Sequence, residues 1–210
     1  MYSHFIFDYD GTLVDSLSIY LTGFEKVFKE FGVNTSQYEI AEKCFGTIDG
    51  AKNLGIADTK TFYKKVDDLI EPQIKHPPLF KNVEETLKKL KDNNKKLSIV
   101  SSSSKKSIEE DLKLKNIFNL FDLIISGDDV EELKPNPQGI FKVIQYYNLP
   151  TDNFLMVGDS RKDLVAAKNA NIANCLFFPK ESFLYYKKQD LVEKYKPNLV
   201  IEYFLELLNY

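Results

Sequence analysis

The stretch His4-Phe5-Ile6-Phe7-Asp8-Tyr9-Asp10-Gly11-Thr12 is the most informative part of the sequence, because it predicts both a buried strand and a pair of acidic residues at its end. Its apolar first part predicts a short buried strand, and two aspartates follow at once. Because neighbouring residues of an extended chain point to opposite sides, Asp8 and Asp10 share a side there. Gly11 then allows a sharp turn with a positive φ. Two carboxylates held together repel one another unless a cation lies between them or one takes a proton, so this pattern favours a functional site.

Length, charge and cysteine content limit the class of protein. The chain has 210 residues, which is enough for one large domain or for a core with a smaller insertion. Its charged residues make up 28% and give a net charge of −3, which argues against nucleic-acid binding. Cys44 and Cys175 match no metal or disulfide pattern. No apolar run approaches ~18 residues, and the N-terminus lacks a positively charged region. We therefore expect a cytoplasmic protein that binds no membrane.

Short apolar runs alternate with amphipathic stretches along most of the chain. The predicted strands are His4–Phe7, Leu97–Val100, Leu123–Ile125, Phe154–Val157, Cys175–Phe178 and Leu199–Ile201. The predicted helices between them cover residues 82–91, 105–115, 137–147 and 161–170, with Asn136 as the cap and Pro137 as the first residue of the third, and with Asn171 ending the fourth. This alternation predicts an α/β fold, a Rossmann-like parallel sheet with helices on both faces.

Residues 15–80 break this alternation. Apolar residues at helical spacing between Leu17 and Phe31 predict one long amphipathic helix that Gly32 ends. Further helical patterns follow, and no convincing strand appears before Leu97. We interpret 15–80 as a small all-helical domain inserted after the first strand, with His76-Pro77-Pro78 as its stiff return hinge. The α/β core domain then comprises 1–14 and 81–210.

Polar residues follow the predicted strands at their carboxyl ends, where ligands of open parallel sheets bind. Ser101 follows the second strand, Lys134 comes after the third, and Asp159 follows the fourth. Acids, hydroxyl groups and a lysine therefore gather at one edge with Asp8. This set suits phosphoryl transfer, because a carboxylate can attack phosphorus and Mg²⁺ prefers carboxylate and phosphate oxygens.

Four motifs in this order resemble those of the haloacid dehalogenase (HAD) superfamily. They are Asp-x-Asp-Gly-Thr-Leu-x-Asp-Ser at 8–16, a strand followed by Ser101, Lys134-Pro135-Asn136-Pro137, and Gly158-Asp159-Ser160-x-x-Asp163. The helical insertion resembles the cap of the phosphoglycolate phosphatase and β-phosphoglucomutase branch. The resemblance spans nearly the whole chain. It implies a Mg²⁺-dependent phosphatase that hydrolyses a small phosphate monoester through an aspartyl-phosphate intermediate.

The resemblance also implies a role for each acid. Asp8 would be the nucleophile and a metal ligand. Asp10 would be the general acid and then the general base, and its backbone carbonyl would bind the metal. Asp159 would be the third metal ligand, and Asp163 would stabilise this site without binding the metal itself. For Asp163 a plain helix cap is an equally good interpretation.

Phosphate binding and substrate choice would fall to other residues. Ser101 and Lys134 would hold the transferring phosphoryl group, with Ser102 as a further candidate in a serine run that is otherwise typical of a loop. The cap would cover the cleft and select the substrate. Its candidate specificity residues are Phe45, Gly46, Thr47, Lys52 and Asn53. An enclosed site of this kind favours a small phosphorylated metabolite as partner, and we expect a monomer or weak homodimer.

Other reactions stay open. Dehalogenating members lack the second aspartate, which is Asp10 here, so dehalogenation is disfavoured. Phosphosugar mutases carry a histidine where we align Tyr20 and an arginine near Asp49, which counts against mutase activity. Phosphonate cleavage would need a Schiff base, for which Lys52 is the candidate. Outside the family, a phosphoaspartate signalling protein without turnover uses similar groups, but it needs neither the second acid nor the long insertion. An interaction protein that kept the fold and lost activity is disfavoured, because all the expected catalytic side chains are present.

Several residues receive a purely structural interpretation. Arg161 and Lys162 fit solvated charges of a helix. The apolar stripe from Leu17 to Phe31 fits the core of the insertion. His4 and His76 lie outside the motifs, so the sequence assigns them no role.

Overall fold

A computed structural model describes residues 1–44, 50–180, 182 and 187–210, without the side chain of Glu42. Its strands are β1 (His4–Phe7), β2 (Lys96–Val100), β3 (Leu123–Ile125), β4 (Phe154–Gly158), β5 (Ala173–Phe177) and β6 (Leu199–Ile201). They form a sheet in the order β3-β2-β1-β4-β5-β6, and each of these pairings is parallel. The structure thus confirms the Rossmann-like parallel sheet.

Helices occupy most of the remaining described chain. They are α1 (Leu17–Glu30), α2 (Gln37–Lys43), α3 (Gly50–Asn53), α4 (Thr59–Ile74), α5 (Val83–Asp92), α6 (Lys105–Leu114), α7 (Gln138–Tyr147), α8 (Arg161–Asn169) and α9 (Lys188–Tyr195). None of the helices in these described segments is long and apolar enough to cross a membrane.

Element ends differ from the prediction by one or two residues, for local reasons. β5 begins at Ala173 because that residue pairs with β4. α7 begins at Gln138 and not at Pro137, and the Asn136 side chain accepts the Gln138 N–H at 2.9 Å. Asn171 adopts a φ of +54° after α8, as predicted for a helix end. The sequence patterns gave no signal for α9.

The sheet is covered on both faces, as the alternation of its side chains requires. Phe5 and Phe7 of β1 lie in a hydrophobic cluster with residues of α5, α6 and the 3₁₀ helix Phe204–Asn209. Ile6 points the other way and lies in a second cluster with residues of α7 and α8. β1 is therefore buried along its whole length, so the residues that follow it start from a fixed position.

The helices α1 to α4 form a helical insert between β1 and α5, and its described part contains no strand. The insert has its own hydrophobic cluster. At its centre, the ring of Phe62 lies 5.7 Å from that of Phe24 and 4.6 Å from that of Phe28, centroid to centroid. α1 ends at Glu30 and Gly32 follows with a φ of +74°, close to the predicted helix end.

Two antiparallel segments join the helical insert to the core. Val14, in the segment that leads from the core into the insert, pairs with Leu79, in the segment that leads from the insert to the core. Beside this pair, the Asp15 N–H donates to the Pro78 carbonyl at 2.8 Å. The segment His76–Leu79, which we call the return segment, contains the predicted hinge. It is thus bonded directly to the loop that follows Asp10.

Candidate active site

The candidate site lies at the carboxyl ends of three neighbouring strands. β1 is flanked by β2 and β4, and Phe7 at its end is in register with Ile99 and Val157. The residues that directly follow these three strands are Asp8, Ser101 and Asp159. Later strands lie on both sides of β1, and such switch points are where open α/β sheets bind ligands.

Lys134 is the centre of the charge arrangement. This residue comes from the loop between β3 and α7, and its Nζ lies 2.7 Å from Asp8 Oδ1 and 2.6 Å from Asp163 Oδ1. Burial works to lower the pKa of Lys134, but the carboxylates of Asp163 and Asp8 outweigh it and raise that pKa above its ordinary value. The lysine is therefore held as an ammonium ion that offsets two buried negative charges.

Asp8 is buried among like charges. Burial raises the pKa of Asp8 well above its ordinary value, the charges of Asp163 and Asp159 raise it further, and Lys134 works against them. The Tyr9 N–H donates to Asp8 Oδ1 at 2.7 Å, which fixes the carboxylate orientation. The Asp8 carboxylate thus needs positive charge nearby in order to stay ionised.

Asp159 faces Asp8 from the end of β4. Burial, followed by the charge of Asp163, raises the pKa of Asp159 to about 7. The Thr12 hydroxyl donates to Asp159 Oδ1 at 3.2 Å. Gly11 has a φ of +78°, and a Cβ there would lie 2.6 Å from Asp159 Oδ2. Only glycine permits this turn and this close approach together.

Asp163 is a helix cap and an ion-pair partner at once. Its Oδ2 accepts the Ser160 N–H at 3.1 Å and the Ser160 hydroxyl at 2.6 Å, which forms a capping box at the start of α8. Its Oδ1 accepts from Lys134. Because protein donors engage both oxygens, Asp163 positions Lys134 and the strand-to-helix turn that carries Asp159.

The acidic residues fit the predicted metal. Asp8, Asp159 and Asp163 each offer a carboxylate oxygen, and these atoms lie within 4.8 Å of one another. Carboxylate oxygens are the ligands that hard divalent cations prefer. The raised pKa values of Asp8 and Asp159 show that their negative charges are costly here without further positive charge. The donor set therefore suits a divalent cation, with Asp8 and Asp159 as the best available ligands.

Asp10 is held separately from this acidic cluster. It is half-buried, and the Ser103 hydroxyl donates to its Oδ2 at 2.5 Å. The Ser103 N–H in turn donates to Ser101 Oγ at 3.1 Å. The sequence did not single out Ser103, because nothing within a run of four serines marks which hydroxyl turns towards Asp10. Ser102 is exposed but lines the same cavity.

A cavity of about 410 Å³ lies between this edge and the helical insert. Its lining includes the predicted Asp8, Asp10, Ser101, Ser102, Lys134 and Asp159. The insert contributes Leu17 and Tyr20 from α1 and Tyr38 and Ala41 from α2. The apolar stripe of α1 is thus core along most of its length and cavity lining near its start.

The predicted specificity residues have a different placement. Lys52 and Asn53 are exposed on α3 and do not belong to the cavity lining found among the described residues. Phe45, Gly46 and Thr47 lie outside the described residues, as does Asp49. The described part of the insert faces the cavity with α1 and α2 instead.

Further cations line the cavity at its outer part. Arg161 and Lys162, interpreted above as solvated charges, belong to the lining, and so does Lys187 before α9. Lys187 Nζ lies 5.3 Å from the centroid of the Tyr38 ring, a contact between the core and the insert. The sequence did not single out Lys187, because it belongs to none of the four motifs.

Comparisons with known proteins identify the family of this chain. Residues 5–177 match the family of haloacid dehalogenase-like hydrolases. Pyrophosphatase PpaX of Oceanobacillus iheyensis is 32% identical over 80% of this chain and 79% of its own length. Pyrophosphatase PpaX of Bacillus mycoides is 27% identical over 97% of this chain and 94% of its own length.

Solved structures share the fold at lower sequence identity. A conserved haloacid dehalogenase-like protein of Agrobacterium tumefaciens has a TM-score of 0.84 at 21% identity, covering 100% of this chain and 97% of its own. A protein of Haemophilus somnus described as a predicted phosphoglycolate phosphatase has a TM-score of 0.77 at 23% identity, covering 99% and 97%. Because the family match covers most of the chain and contains all four motifs, this chain belongs to the haloacid dehalogenase-like hydrolases.

Proposed function

We propose that this hydrolase is a Mg²⁺-dependent phosphatase that acts on a small phosphorylated metabolite through an aspartyl-phosphate at Asp8. One observation carries the proposal. The buried ammonium group of Lys134 lies 2.7 Å from Asp8 Oδ1, in a cavity that Asp10 and Ser101 also line. A nucleophile, a charge-balancing lysine, an acid and a hydroxyl donor thus meet where a phosphate group can enter.

Phosphate binding requires that negative charge be offset, because the substrate and the pocket are both anionic. Lys134 supplies one full positive charge, and the Ser101 hydroxyl can donate to a phosphoryl oxygen. Asp8, Asp159 and the backbone carbonyl of Asp10 would hold Mg²⁺. When bound, this ion neutralises charge between the carboxylates and the phosphate and withdraws electrons from phosphorus.

In the first step an oxygen of Asp8 forms a bond to phosphorus while the bond from phosphorus to the leaving oxygen breaks. The leaving oxygen takes a proton from Asp10, which must therefore enter the step protonated. The Ser103 hydroxyl orients Asp10. The products of this step are a free alcohol and a phosphoryl group on Asp8.

In the second step a water oxygen bonds to phosphorus and the bond from phosphorus to Asp8 breaks. Asp10, now ionised, takes a proton from that water, so the acid and base roles alternate and the enzyme returns to its starting state. The helical insert would act as a cap that excludes other water while the phosphoryl group is on Asp8.

A phosphate monoester of the phosphoglycolate type is the first candidate substrate, and inorganic pyrophosphate is the second. The name pyrophosphatase PpaX belongs to relatives that match this chain nearly end to end. In this chain, Arg161, Lys162 and Lys187 line the same cavity as Lys134. Asp190 also lines the cavity and offsets one of these three added charges. The positive charge that remains supports a substrate with a second anionic group beside the phosphoryl group.

Two alternatives receive less support. For a phosphosugar mutase, the aligned histidine is replaced by Tyr20, whose side chain lines the cavity. In a phosphoaspartate signalling protein, the phosphoryl group would stay on Asp8. The general acid and base Asp10, which Ser103 orients, would then have no function. Turnover separates both alternatives from the phosphatase.

We further propose a cytoplasmic location and a monomer or weak homodimer that binds neither nucleic acid nor membranes. The support is the mixed surface charge and net charge of −3. The two cysteines, Cys44 and Cys175, are free and buried, which fits a reducing compartment.

The test is hydrolysis of p-nitrophenyl phosphate by the purified protein, followed by a panel of phosphorylated metabolites that includes phosphoglycolate and pyrophosphate. We expect many turnovers with Mg²⁺ and none with EDTA, and a ranking by kcat/KM that places a doubly anionic substrate first. A single stoichiometric labelling without turnover, or activity that EDTA leaves unchanged, would contradict the proposal.

A further inference from the structure

A buried carboxylate away from the cavity connects three parts of the molecule. Asp111 on α6 is only 1% exposed. The Tyr9 hydroxyl donates to Asp111 Oδ2, and the Lys115 ammonium donates to Oδ1. The Nδ1 atom of His76 lies 3.1 Å from the same Oδ1. Three donors, one of them cationic, satisfy this carboxylate and hold it in one place.

Tyr9 connects this carboxylate to the loop that bears Asp8 and Asp10, which we call the catalytic loop. Its side chain lies on the side of the chain opposite to those of Asp8 and Asp10, and it is buried in the cluster that also contains β1. Its N–H donates to Asp8 Oδ1 at 2.7 Å. Its carbonyl accepts the N–H of Leu13 at 2.9 Å and the N–H of Val14 at 3.2 Å. Tyr9 therefore fixes the Asp8 carboxylate and the turn that carries Asp10.

His76 connects the same carboxylate to the helical insert. It lies two residues before Pro78, whose carbonyl accepts the Asp15 N–H. Leu79 follows and pairs with Val14. The return segment is thus connected to the catalytic loop in two ways. Its backbone is bonded to Val14 and Asp15, and its His76 side chain contacts Asp111, which in turn accepts from Tyr9.

We propose that His76, Asp111 and Tyr9 form a positioning cluster that couples the return segment of the helical insert to the loop bearing Asp8 and Asp10. None of the three lines the cavity, so they act through the backbone of Tyr9. A movement of the insert over the cavity would move the return segment with it, and the cluster would make the geometry of the nucleophile respond to that movement.

Two substitutions distinguish this coupling from simple stabilisation of a buried charge. His76→Gln and Lys115→Gln each change a donor to the same oxygen, Asp111 Oδ1. Only His76 belongs to the return segment, whereas Lys115 lies one turn from Asp111, directly after the end of α6. The His76 side chain is 40% exposed, so we expect His76→Gln to keep the fold.

Hydrogen exchange of the Leu13 and Val14 amides is the direct readout, because both donate to the Tyr9 carbonyl. It requires no catalytic activity, so it stays informative even if the proposed function is wrong. We expect roughly tenfold faster exchange of these amides in His76→Gln, the size typical of losing one hydrogen bond to a charged group. In Lys115→Gln these amides should exchange at the wild-type rate after correction for global stability. Equal exchange in the two variants, or wild-type exchange in His76→Gln, overturns the proposal.

Kinetics provide a second readout that rests on the proposed phosphatase activity. Tyr9→Phe removes only the hydroxyl group and keeps the packing of the ring. We expect kcat for p-nitrophenyl phosphate, per folded molecule, to fall roughly tenfold with an almost unchanged KM, since small misplacements of reacting groups can cost ~10²-fold. His76→Gln should lower kcat in the same way and Lys115→Gln should not. If wild-type protein turns over and Tyr9→Phe keeps the wild-type kcat, the positioning cluster is wrong and the proposed function stands.

Discussion

The polar edge of the sheet and the apolar core of the helical insert are both buried, but by opposite means. At the edge, Asp8 and Asp163 are buried because Lys134 lies between them. In the insert, Phe24, Phe28 and Phe62 are buried because their apolar rings pack against one another, and this burial needs no opposite charge. Removing a group from the edge therefore changes charge and chemistry, whereas removing one from the insert core changes stability.

The largest effect is expected for Asp8→Asn, which removes the nucleophile and keeps its shape. Turnover should fall by roughly 10⁴-fold or more, while the melting temperature stays near or above that of the wild type because one buried like charge is lost. Steady-state hydrolysis and thermal unfolding check both parts. Asp128, which is exposed after β3, offers the matched control Asp128→Asn, and it should keep full activity. Wild-type activity in Asp8→Asn would refute the nucleophile assignment.

Asp10→Asn should have the next largest effect on rate. Loss of general acid and base catalysis lowers kcat by ~10²–10⁴-fold. The loss should be smaller for p-nitrophenyl phosphate, whose leaving group needs little protonation, than for an alkyl phosphate. Measuring kcat/KM on both substrates checks this difference, because kcat/KM reports the steps up to the departure of the leaving group and not the later hydrolysis that both substrates share. An equal loss of kcat/KM on the two substrates would show that Asp10 does not protonate the leaving oxygen.

Phe62→Ala tests the insert side of the comparison. Phe62 is fully buried between other rings, so its truncation should lower the free energy of unfolding by ~3–5 kcal/mol. The kcat of the molecules that remain folded should change by less than about threefold, because the cavity at the sheet edge keeps its charges. Denaturant unfolding and activity per folded molecule give the two values. A loss of kcat comparable to that of Asp10→Asn would contradict the separation of the two regions.

The raised pKa of Asp159 should make the stability of the metal-free protein depend on pH. The pKa of Asp159 is about 7 in the folded protein against an ordinary 3.8, so the folded state binds more protons than the unfolded state between these values. The metal-free protein should therefore lose stability as pH rises through this window. The raised pKa of Lys134 adds stability that is constant there, because both states keep the lysine protonated.

Mg²⁺ binds the ionised carboxylates, so its stabilising effect should grow as pH rises. Excess Mg²⁺ should raise the free energy of unfolding by roughly 1–3 kcal/mol more near pH 8 than near pH 5. Thermal unfolding with Mg²⁺ and with EDTA at both pH values measures this difference. The Asp8→Asn variant should show a smaller Mg²⁺ effect. An Mg²⁺ effect that is independent of pH would contradict metal binding by these acids.

The smallest predicted effect concerns the serine run after β2. Ser103→Ala removes the donor to Asp10 Oδ2 and should lower kcat about tenfold, the order expected for one hydrogen bond to a charged group. Ser104→Ala is the matched control, since Ser104 caps α6 by accepting the Ser107 N–H. It should cost ~1 kcal/mol of stability and leave kcat unchanged. Equal kcat values for the two variants would remove Ser103 from the site.

The same contrast explains what could be predicted from the sequence. Asp8, Ser101 and Asp159 were predictable because each directly follows an apolar run, and parallel strands bring their carboxyl ends to one edge. The fold class and most strand bounds follow from the same periodicity. Asp163 caps α8, as one of its two interpretations predicted, and it also pairs with Lys134, which the sequence did not predict.

Other parts of the site depend on packing between distant segments. Tyr38 and Lys187 line one cavity only because the insert folds back over the core, and no local pattern encodes that placement. His76 meets Asp111 across 35 positions of sequence. Lys52, predicted from its position in the insertion, lies exposed on the short helix α3 instead. Helical periodicity shows which residues share a face but not what that face meets.

The central claim is that an oxygen of Asp8 bonds to phosphorus during turnover. The most direct measurement is peptide mapping by mass spectrometry after an acid quench of wild-type protein turning over a phosphate monoester with Mg²⁺. We expect one phosphoryl group on the peptide that contains Asp8. In Asp10→Asn with p-nitrophenyl phosphate, a larger fraction of this peptide should be phosphorylated, because hydrolysis of the intermediate is slowed. Steady turnover with that peptide unmodified in both proteins would contradict the central claim.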